Sequence, residues 1–263
     1  ITAEAERPAF FPYNYQHALQ AALYSLIRES SLEHAAFLHG KGYVKDGIDK
    51  LFKFFTFSKL DFSPKIRGKN GFQKVSLISF TFSTIMESSL KHLVMGIFSN
   101  KKIRLNFDNR TILLNIMSVD VVEAPQFLGK DKFICLSPIV ASTIIENKNG
   151  RMVPHFLDYA IPSEREHFIE NLKRNLIHKF ETLYDKAYSA NDFPFNFQFD
   201  RNYIERKKGR ISKLIKFKDD INVRAMEAPF TVEADPDLIK IGYESGWGEK
   251  NSAGFGCVKP LRT

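Results

Sequence analysis

The first clear hydrophobic pattern follows Pro12. Apolar residues there recur at every third or fourth position, namely Leu19, Ala22, Leu23, Leu26 and Ile27. This spacing places them on one face of a helix. Ser31 can cap a short second helix that ends near His39. We therefore expect two consecutive helices before residue 40.

The rest of the first half alternates between strand and helix patterns. Apolar and polar side chains alternate, or apolar ones run together, over residues 1–6, 51–60, 72–83, 103–107 and 112–121. These runs indicate strands. Residues 86–97 carry helical spacing, and Asp108-Asn109 indicates a turn between the last two strands.

A link through Ala124-Pro125 leads to a second pass of the same order. Strands are predicted at 133–145, 195–199, 213–218, 230–234 and 255–259, with a short helix from Pro236 to Ser245. Ser163 to Glu166 forms a capping-box signature before a long helix that extends to Leu183. The pattern predicts an α+β fold of two βαββαβ units in tandem, with domains at residues 1–123 and 124–263.

Composition narrows the class of protein. The 263 residues are 44% hydrophobic and include 25 Phe, which supports packed cores and disfavours disorder. No apolar run approaches the roughly 18 residues that span a bilayer, and no secretory signal opens the chain.

Cys135 and Cys257 lie in apolar runs, so we expect buried free thiols in a reducing cytoplasm. The chain starts at Ile1 rather than Met, so we expect a short preceding piece.

The net charge of +8 is concentrated in one segment. Residues 201–218 hold eight Lys or Arg against one acid, Glu205, which is a net of +7. A charge run is commonly a solvated face. Here it carries nearly the whole excess, which favours a polyanionic partner and salt-sensitive binding. Tyr203, beside the run, is a candidate for stacking on a base, whereas Phe195, Phe197 and Phe199 are expected to be core.

Residues 246–256 read Gly-Trp-Gly-Glu-Lys-Asn-Ser-Ala-Gly-Phe-Gly. Four glycines allow positive φ and bare N–H groups, which can form an anion-binding concavity. Lys250, Asn251 and Ser252 add charge and hydrogen-bonding groups beside them. The spacing fits neither the dinucleotide nor the phosphate-loop motif. A polar hairpin loop is the alternative interpretation.

The same stretch resembles the C-terminal glycine-rich signature of the CRISPR-associated endoribonucleases that cut precursor repeat RNA, in the RAMP superfamily. Gly246 to Val258 fits every fixed position of Gly-x-Gly-x-Lys-x-Ser-x-Gly-Phe-Gly-x-Val. Pro12-Tyr13-Asn14-Tyr15, Leu38-His39, the run from Lys53 to Ser58, and Leu136-Ser137-Pro138-Ile139 are also similar to the family and follow its order. The resemblance implies two ferredoxin-like (RRM-like) domains.

It also implies an endoribonuclease that needs no cofactor. In such a reaction the RNA's own 2′-OH attacks the neighbouring phosphorus, leaving a 2′,3′-cyclic phosphate and a 5′-hydroxyl. A base removes the 2′ proton, an acid protonates the departing oxygen, and a cation stabilises the crowded phosphate. No zinc-binding motif or Mg²⁺-type carboxylate pattern is evident in the chain, so we predict no metal site.

The resemblance also selects candidate catalytic residues among many. His39 is implied as general acid or base, Tyr24 as its proton-transfer partner, and Lys53 as the transition-state cation. From the residues alone, His39 could simply end a helix, Tyr24 could be a half-buried helix residue, and Lys53 could be solvated. Lys45 is the rival of Lys53. His17 and His92 are expected to be structural or solvent-facing.

We expect RNA contacts from the basic segment and the glycine-rich loop: Arg206, Lys207, Lys208, Arg210, Lys213, Lys216, Gly246, Gly248, Lys250, Asn251, Ser252, Gly254 and Gly256. The expected partner is CRISPR repeat RNA, and effector-complex subunits are possible further partners of a monomer or homodimer. Two other functions stay open. One is a non-catalytic RNA-binding subunit, and the other is an unrelated two-domain protein that binds another polyanion.

Overall fold

The computed structural model describes residues 1–189, 194–218 and 221–261. The strands of the first half are β1 Thr2–Pro12, β2 Tyr43–Lys45, β3 Ile48–Phe52, β4 Phe55–Phe57, β5 Asp61–Ser63, β6 Ile66–Arg67, β7 Gly71–Ser79, β8 Phe82–Thr84, β9 Lys102–Phe107 and β10 Arg110–Ser118. Its helices are α1 Gln16–Ser30, α2 Leu32–Gly40 and α3 Glu87–Asn100.

The main sheet of the first half has the order β5-β7-β1-β10-β9, with β6 paired to β7. The β5-β7-β1-β10 part is the 2-3-1-4 order of a βαββαβ unit, and β9 is an additional edge strand. Helices α1 and α3 connect strands of this sheet. Their apolar faces are buried in one core with β1, β7, β9 and β10. The predicted cap is confirmed, because Oγ of Ser31 accepts a hydrogen bond from the His34 N–H at 3.1 Å.

The second half repeats the arrangement with insertions. Its strands are β11 Lys130–Cys135, β12 Ser142–Glu146, β13 Met152–Phe156, β14 Asn196–Phe199, β15 Ser212–Lys218, β16 Ile221–Met226, β17 Phe230–Glu233 and β18 Val258–Pro260. Its helices are α4 Pro162–Tyr184, α5 Arg201–Arg206 and α6 Pro236–Ser245, followed by a 3-10 turn at Asn251–Ala253.

The second sheet has the order β14-β17-β11-β18, which is again 2-3-1-4 with every pair antiparallel. The prediction of two tandem ferredoxin-like domains is therefore confirmed. Phe197 and Phe199 are buried in the core as expected, and Phe195 packs against its edge. Two hairpins, β12–β13 and β15–β16, are inserted into this second unit.

Two local predictions in the second half are wrong. Residues 133–145 do not form one strand, because the chain leaves the sheet after Cys135 and resumes as β12. The N–H groups of Leu136 and Ser137 both donate to the Cys257 carbonyl there. Ser163 does not cap α4, which begins one residue earlier at Pro162, a residue suited to the first helical position.

The two domains are joined by direct contacts. Oγ1 of Thr56 donates to the Phe255 carbonyl at 2.8 Å, and Nε2 of Gln16 donates to the Ala253 carbonyl at 2.7 Å. Trp247 is fully buried in the second core. Cys135 and Cys257 are buried free thiols, as predicted. Among the described residues, no helix combines the length and apolarity that crossing a membrane requires.

Candidate active site

A groove of about 820 Å³ lies between α1 and α2 and reaches the 3-10 turn of the glycine-rich loop. We call it the active-site groove. It contains all three predicted catalytic residues, together with polar and basic neighbours from α1, β9 and the glycine-rich loop. The polar and charged residues that line it include His17, Gln20, Tyr24, Arg28, His39, Lys53, Arg104, Asn106 and Ser252.

Tyr24 and His39 face each other in this groove. The cap at Ser31 turns the chain between α1 and α2, so that the last turn of α2 returns to the middle of α1. The ring centroids of Tyr24 and His39 are 6.0 Å apart with nearly perpendicular planes. Tyr24 also packs against Phe55, whose ring centroid is 5.7 Å from its own. His39 is exposed and can reach a bound molecule.

The hydroxyl of Tyr24 lies against the other domain. Burial raises the pKa of Tyr24 to about 12, although a hydrogen bond with Ser252 opposes the shift. Tyr24 is therefore protonated near neutral pH and can donate a hydrogen bond or a proton. The carbonyl of Ser252 is held in turn by Nε2 of Gln20 at 2.9 Å. The glycine-rich loop thus completes the wall behind Tyr24.

Lys53 lies beside His39. Its Nζ donates to the main-chain carbonyl of His39 at 2.9 Å, and partial burial lowers the pKa of the amine. Lys45, the rival candidate, is directed elsewhere. Its Nζ is 3.5 Å from a carboxylate oxygen of Asp185 and contacts the Glu181 carbonyl on α4. The structure therefore groups Lys53, and not Lys45, with Tyr24 and His39.

The glycines of the loop serve packing. All four are buried and have positive φ. A Cβ on Gly254 would overlap the Phe57 ring, and one on Gly256 would overlap the Trp247 backbone. The N–H groups of Gly254 and Gly256 donate to the carbonyls of Asn251 and Pro138, both at 2.8 Å. The expected concavity of bare N–H groups is therefore not found at these two positions.

Gly246, Gly248 and Asn251 are held by a buried lysine that sequence reasoning missed. Lys179 on α4 is 1% exposed. Its Nζ donates to the Gly246 carbonyl at 2.5 Å, to the Gly248 carbonyl at 3.4 Å and to Oδ1 of Asn251 at 2.8 Å. Nδ2 of Asn251 donates to the carbonyls of Trp247 and Phe255. The Asn251 side chain thus organises the loop internally.

The loop has three other polar residues: Glu249 forms an ion pair with Lys50, and Lys250 and Ser252 are at least partly exposed. Lys250 is exposed, with its Nζ 5.7 Å from the centre of the Phe156 ring. Ser252 lines the active-site groove. These two side chains therefore remain accessible to a ligand, whereas Asn251 is occupied within the loop.

The basic segment forms α5, a turn and the first strand of the β15–β16 hairpin. Its predicted RNA-binding residues are all exposed: Arg206, Lys207, Lys208, Arg210, Lys213 and Lys216. The side chain of Lys218 lies outside the described part of the chain. Arg206 and Lys207 lie over the ring of Tyr203, at 5.6 and 5.7 Å from its centre, and so compete with a stacked base. The hairpin reaches α1, where the rings of Phe217 and His17 are 5.7 Å apart.

Sequence reasoning missed two groove residues, Arg28 and Arg104. His17 is exposed, as expected, and also lines the groove. A signal for Arg28 was present, because Tyr24 and Arg28 share the polar face of α1 at a spacing of four. Arg104 comes from β9 and no local spacing connects it to α1. In contrast, Nδ1 of His92 pairs with Oγ of Ser30 at 2.9 Å, in keeping with a structural role.

No three His, Cys, Asp or Glu residues in the described ranges are grouped so that they could hold a metal ion.

Two family models together match most of the chain. CRISPR-associated protein Cas6, N-terminal, matches residues 10–114, and CRISPR associated protein Cas6, C-terminal, matches residues 122–260.

Individual proteins agree with these models. CRISPR-associated endoribonuclease Cas6 1 of Methanocaldococcus jannaschii is 32% identical over 94% of this chain and 86% of its own length. CRISPR-associated endoribonuclease Cas6 of Pyrococcus furiosus is 30% identical over 98% of this chain and 87% of its own. A solved structure of a CRISPR associated protein Cas6 superposes with a TM-score of 0.74 at 29% identity, covering 99% of this chain and 97% of that one.

The fold and the groove thus define a two-domain CRISPR-associated endoribonuclease. The chain belongs to the Cas6 family. The resemblance inferred from the glycine-rich signature is confirmed.

Proposed function

We propose that this protein cuts CRISPR precursor RNA within its repeats, without a metal ion, by attack of the RNA's 2′-OH on the adjacent phosphorus. The observation that carries the proposal is the convergence of Tyr24, His39 and Lys53 in one groove that the glycine-rich loop closes through Ser252. In this proposal residues 1–123 supply the catalytic side chains, and residues 124–263 supply most of the RNA-binding surface.

Each catalytic side chain has a distinct task. His39 is exposed in the groove and transfers a proton as general acid or base, a role to which imidazole is suited near neutrality. Tyr24 is protonated near neutral pH and acts as the proton-transfer partner of His39. Lys53 supplies positive charge, which stabilises the pentavalent phosphate more strongly where water is partly excluded.

RNA binding is assigned to side chains that remain accessible. Lys250 and Ser252 lie next to the catalytic residues, and the six exposed cations of the basic segment add attraction for phosphates. Gly246, Gly248, Gly254, Gly256 and Asn251 contribute by shaping the loop rather than by touching the phosphate. The partner is repeat RNA, the substrate class of a repeat-processing endoribonuclease.

The test is incubation of the protein with its repeat RNA in EDTA. We expect cleavage at one bond per repeat, a 2′,3′-cyclic phosphate and a 5′-hydroxyl. A 2′-deoxy substitution at the scissile nucleotide should abolish cleavage, since it removes the nucleophile. Uncut RNA, or equal cleavage of the 2′-deoxy substrate, would reject the proposal. Tight binding without cleavage would identify a non-catalytic RNA-binding subunit.

A further inference from the structure

A second groove of about 600 Å³ lies along α4, between the two domains. We call it the α4 groove. Its walls come from β3 and the following residues of the first domain, and from α4, the β12–β13 hairpin and the glycine-rich loop of the second. Lys53 and Ser252 line both this groove and the active-site groove. A strand that leaves the catalytic residues can therefore continue directly into it.

The charge of the α4 groove favours an anion. Its carboxylate, Glu249, is already paired with Nζ of Lys50 at 2.9 Å and accepts a hydrogen bond from Oγ of Ser142. Arg174 and Lys250 are exposed and have no ion-pair partner among the described residues. Nη2 of Arg174 donates only to the neutral Oδ1 of Asn171, at 3.0 Å. Two cations therefore face the groove with unbalanced charge.

The same groove offers apolar and polar surface suited to a nucleoside. The side chain of Ile144 is 65% exposed and that of Leu51 is 45% exposed, although both line the groove. Asn175 on its floor is 3% exposed, and Oδ1 of this side chain has no hydrogen-bond partner within the described structure. Buried polar groups are normally paired, so the floor has unused hydrogen-bonding capacity.

We propose that the α4 groove binds single-stranded nucleotides of the same RNA on one side of the cleaved bond, with Arg174 on a phosphate and Leu51 and Ile144 against a base. The inference rests on the proposed function, which places the scissile phosphate beside Lys53. Exposed cations that follow the backbone, next to apolar surface that accepts a base, are the usual means of holding an unpaired strand.

The experiment combines one substitution with RNA truncation. Binding of 2′-deoxy repeat RNA, which cannot be cut, is measured for the full repeat and for two truncated forms. One truncated form lacks the nucleotides on the 3′ side of the cleaved bond, and the other lacks the nucleotides on the 5′ side. Arg174→Ala should weaken binding of the full repeat by about tenfold, the value of one charge-assisted contact. The effect should disappear with one truncated RNA and persist with the other.

Arg67→Ala is the matched control, because Arg67 is an exposed arginine on β6 that lines neither groove. It should leave all three affinities unchanged. An equal loss with every RNA, or no loss with any, would overturn the assignment of the groove. Failure of the wild type to cut would instead reject the proposed function, while the binding comparison would still decide on the groove.

Discussion

Nζ of Lys179 lies 2.8 Å from Oδ1 of Asn251, so that a lysine near the C-terminal end of α4 holds the 3-10 turn of the glycine-rich loop. The carbonyls of Gly246 and Gly248 complete its shell of oxygen acceptors. The loop residue that follows Asn251 contacts Tyr24. The position of the groove wall at Tyr24 therefore depends on a buried amine in the other domain.

Titration of Lys179 should appear in the pH dependence of stability. Burial and, to a smaller extent, the neighbouring charge of Lys50 lower the pKa of Lys179 to about 7, while Glu249 opposes the shift. Between that value and the ordinary lysine pKa of about 10.4, the unfolded chain binds more protons than the folded one. The free energy of unfolding should therefore rise with pH above 7, by at most about 1.4 kcal/mol per pH unit from this group.

The measurement is urea unfolding of wild type and Lys179→Met from pH 7 to pH 9. The free energy of unfolding of the wild type should rise relative to that of Lys179→Met as the pH increases. Lys240→Met, on the exposed face of α6, should give a constant difference because that amine is solvated in both states. A constant difference for Lys179→Met as well would contradict the prediction.

A side chain at Gly254 should disturb the contact between domains. Gly254 and Gly47 share a φ of +83°, but a Cβ at Gly47 would meet open space whereas one at Gly254 would overlap the Phe57 ring. Both Ala substitutions carry the strain of positive φ, and only Gly254→Ala adds overpacking. We expect Gly254→Ala to lower the free energy of unfolding by about 1–3 kcal/mol more than Gly47→Ala. Equal losses would show that the ring moves aside freely.

Removal of one hydroxyl should separate catalysis from binding. Tyr24→Phe keeps the ring contacts with His39 and Phe55 but deletes the proton donor. We expect single-turnover cleavage to fall by about 10²–10⁴-fold, the usual contribution of a proton-transfer group, at nearly unchanged RNA affinity. Tyr43→Phe is the control, because Tyr43 packs on Phe37 outside the active-site groove. Full activity in Tyr24→Phe would exclude that residue from the chemistry.

The hairpin lysines should control the salt dependence of binding. If Lys213 and Lys216 each neutralise one phosphate, their removal lowers the slope of log K against log salt by about 0.7 per residue. The double variant Lys213→Ala/Lys216→Ala should therefore bind RNA more weakly than the wild type at low salt. Its affinity should also fall less steeply than that of the wild type as the salt concentration rises. Lys69→Ala/Lys91→Ala removes two exposed lysines outside both grooves and should keep the wild-type slope.

Local patterns in the sequence were sufficient for most of the fold. The spacing along α1, the cap at Ser31 and the alternation of Ile103 and Leu105 depend on neighbours within a few residues, and the structure contains each of them. The strand predicted over 133–145 is wrong because its interruption is set by Cys257, which is distant in the sequence. The carbonyl of Cys257 accepts hydrogen bonds from the N–H groups of Leu136 and Ser137.

The site shows the same division. His39 and Tyr24 were found through a signature, and their meeting follows from two adjacent helices. The main-chain N–H groups of the glycines were expected to be free, since a glycine-rich polar stretch normally forms an exposed loop. They are buried because the loop inserts against Phe57 and Val140, and no spacing within residues 246–256 reveals those partners. Lys179 was missed for the same reason.

The hydrogen bonds from Gln16 and Gln20 to the carbonyls of residues 252–254 join the start of the first helix to a loop that lies more than 230 residues later in the sequence. The ribosome delivers these two regions far apart in time, so the groove wall behind Tyr24 cannot form until the glycine-rich loop has been synthesised. A nascent chain that still lacks this loop would present the catalytic side chains without that wall.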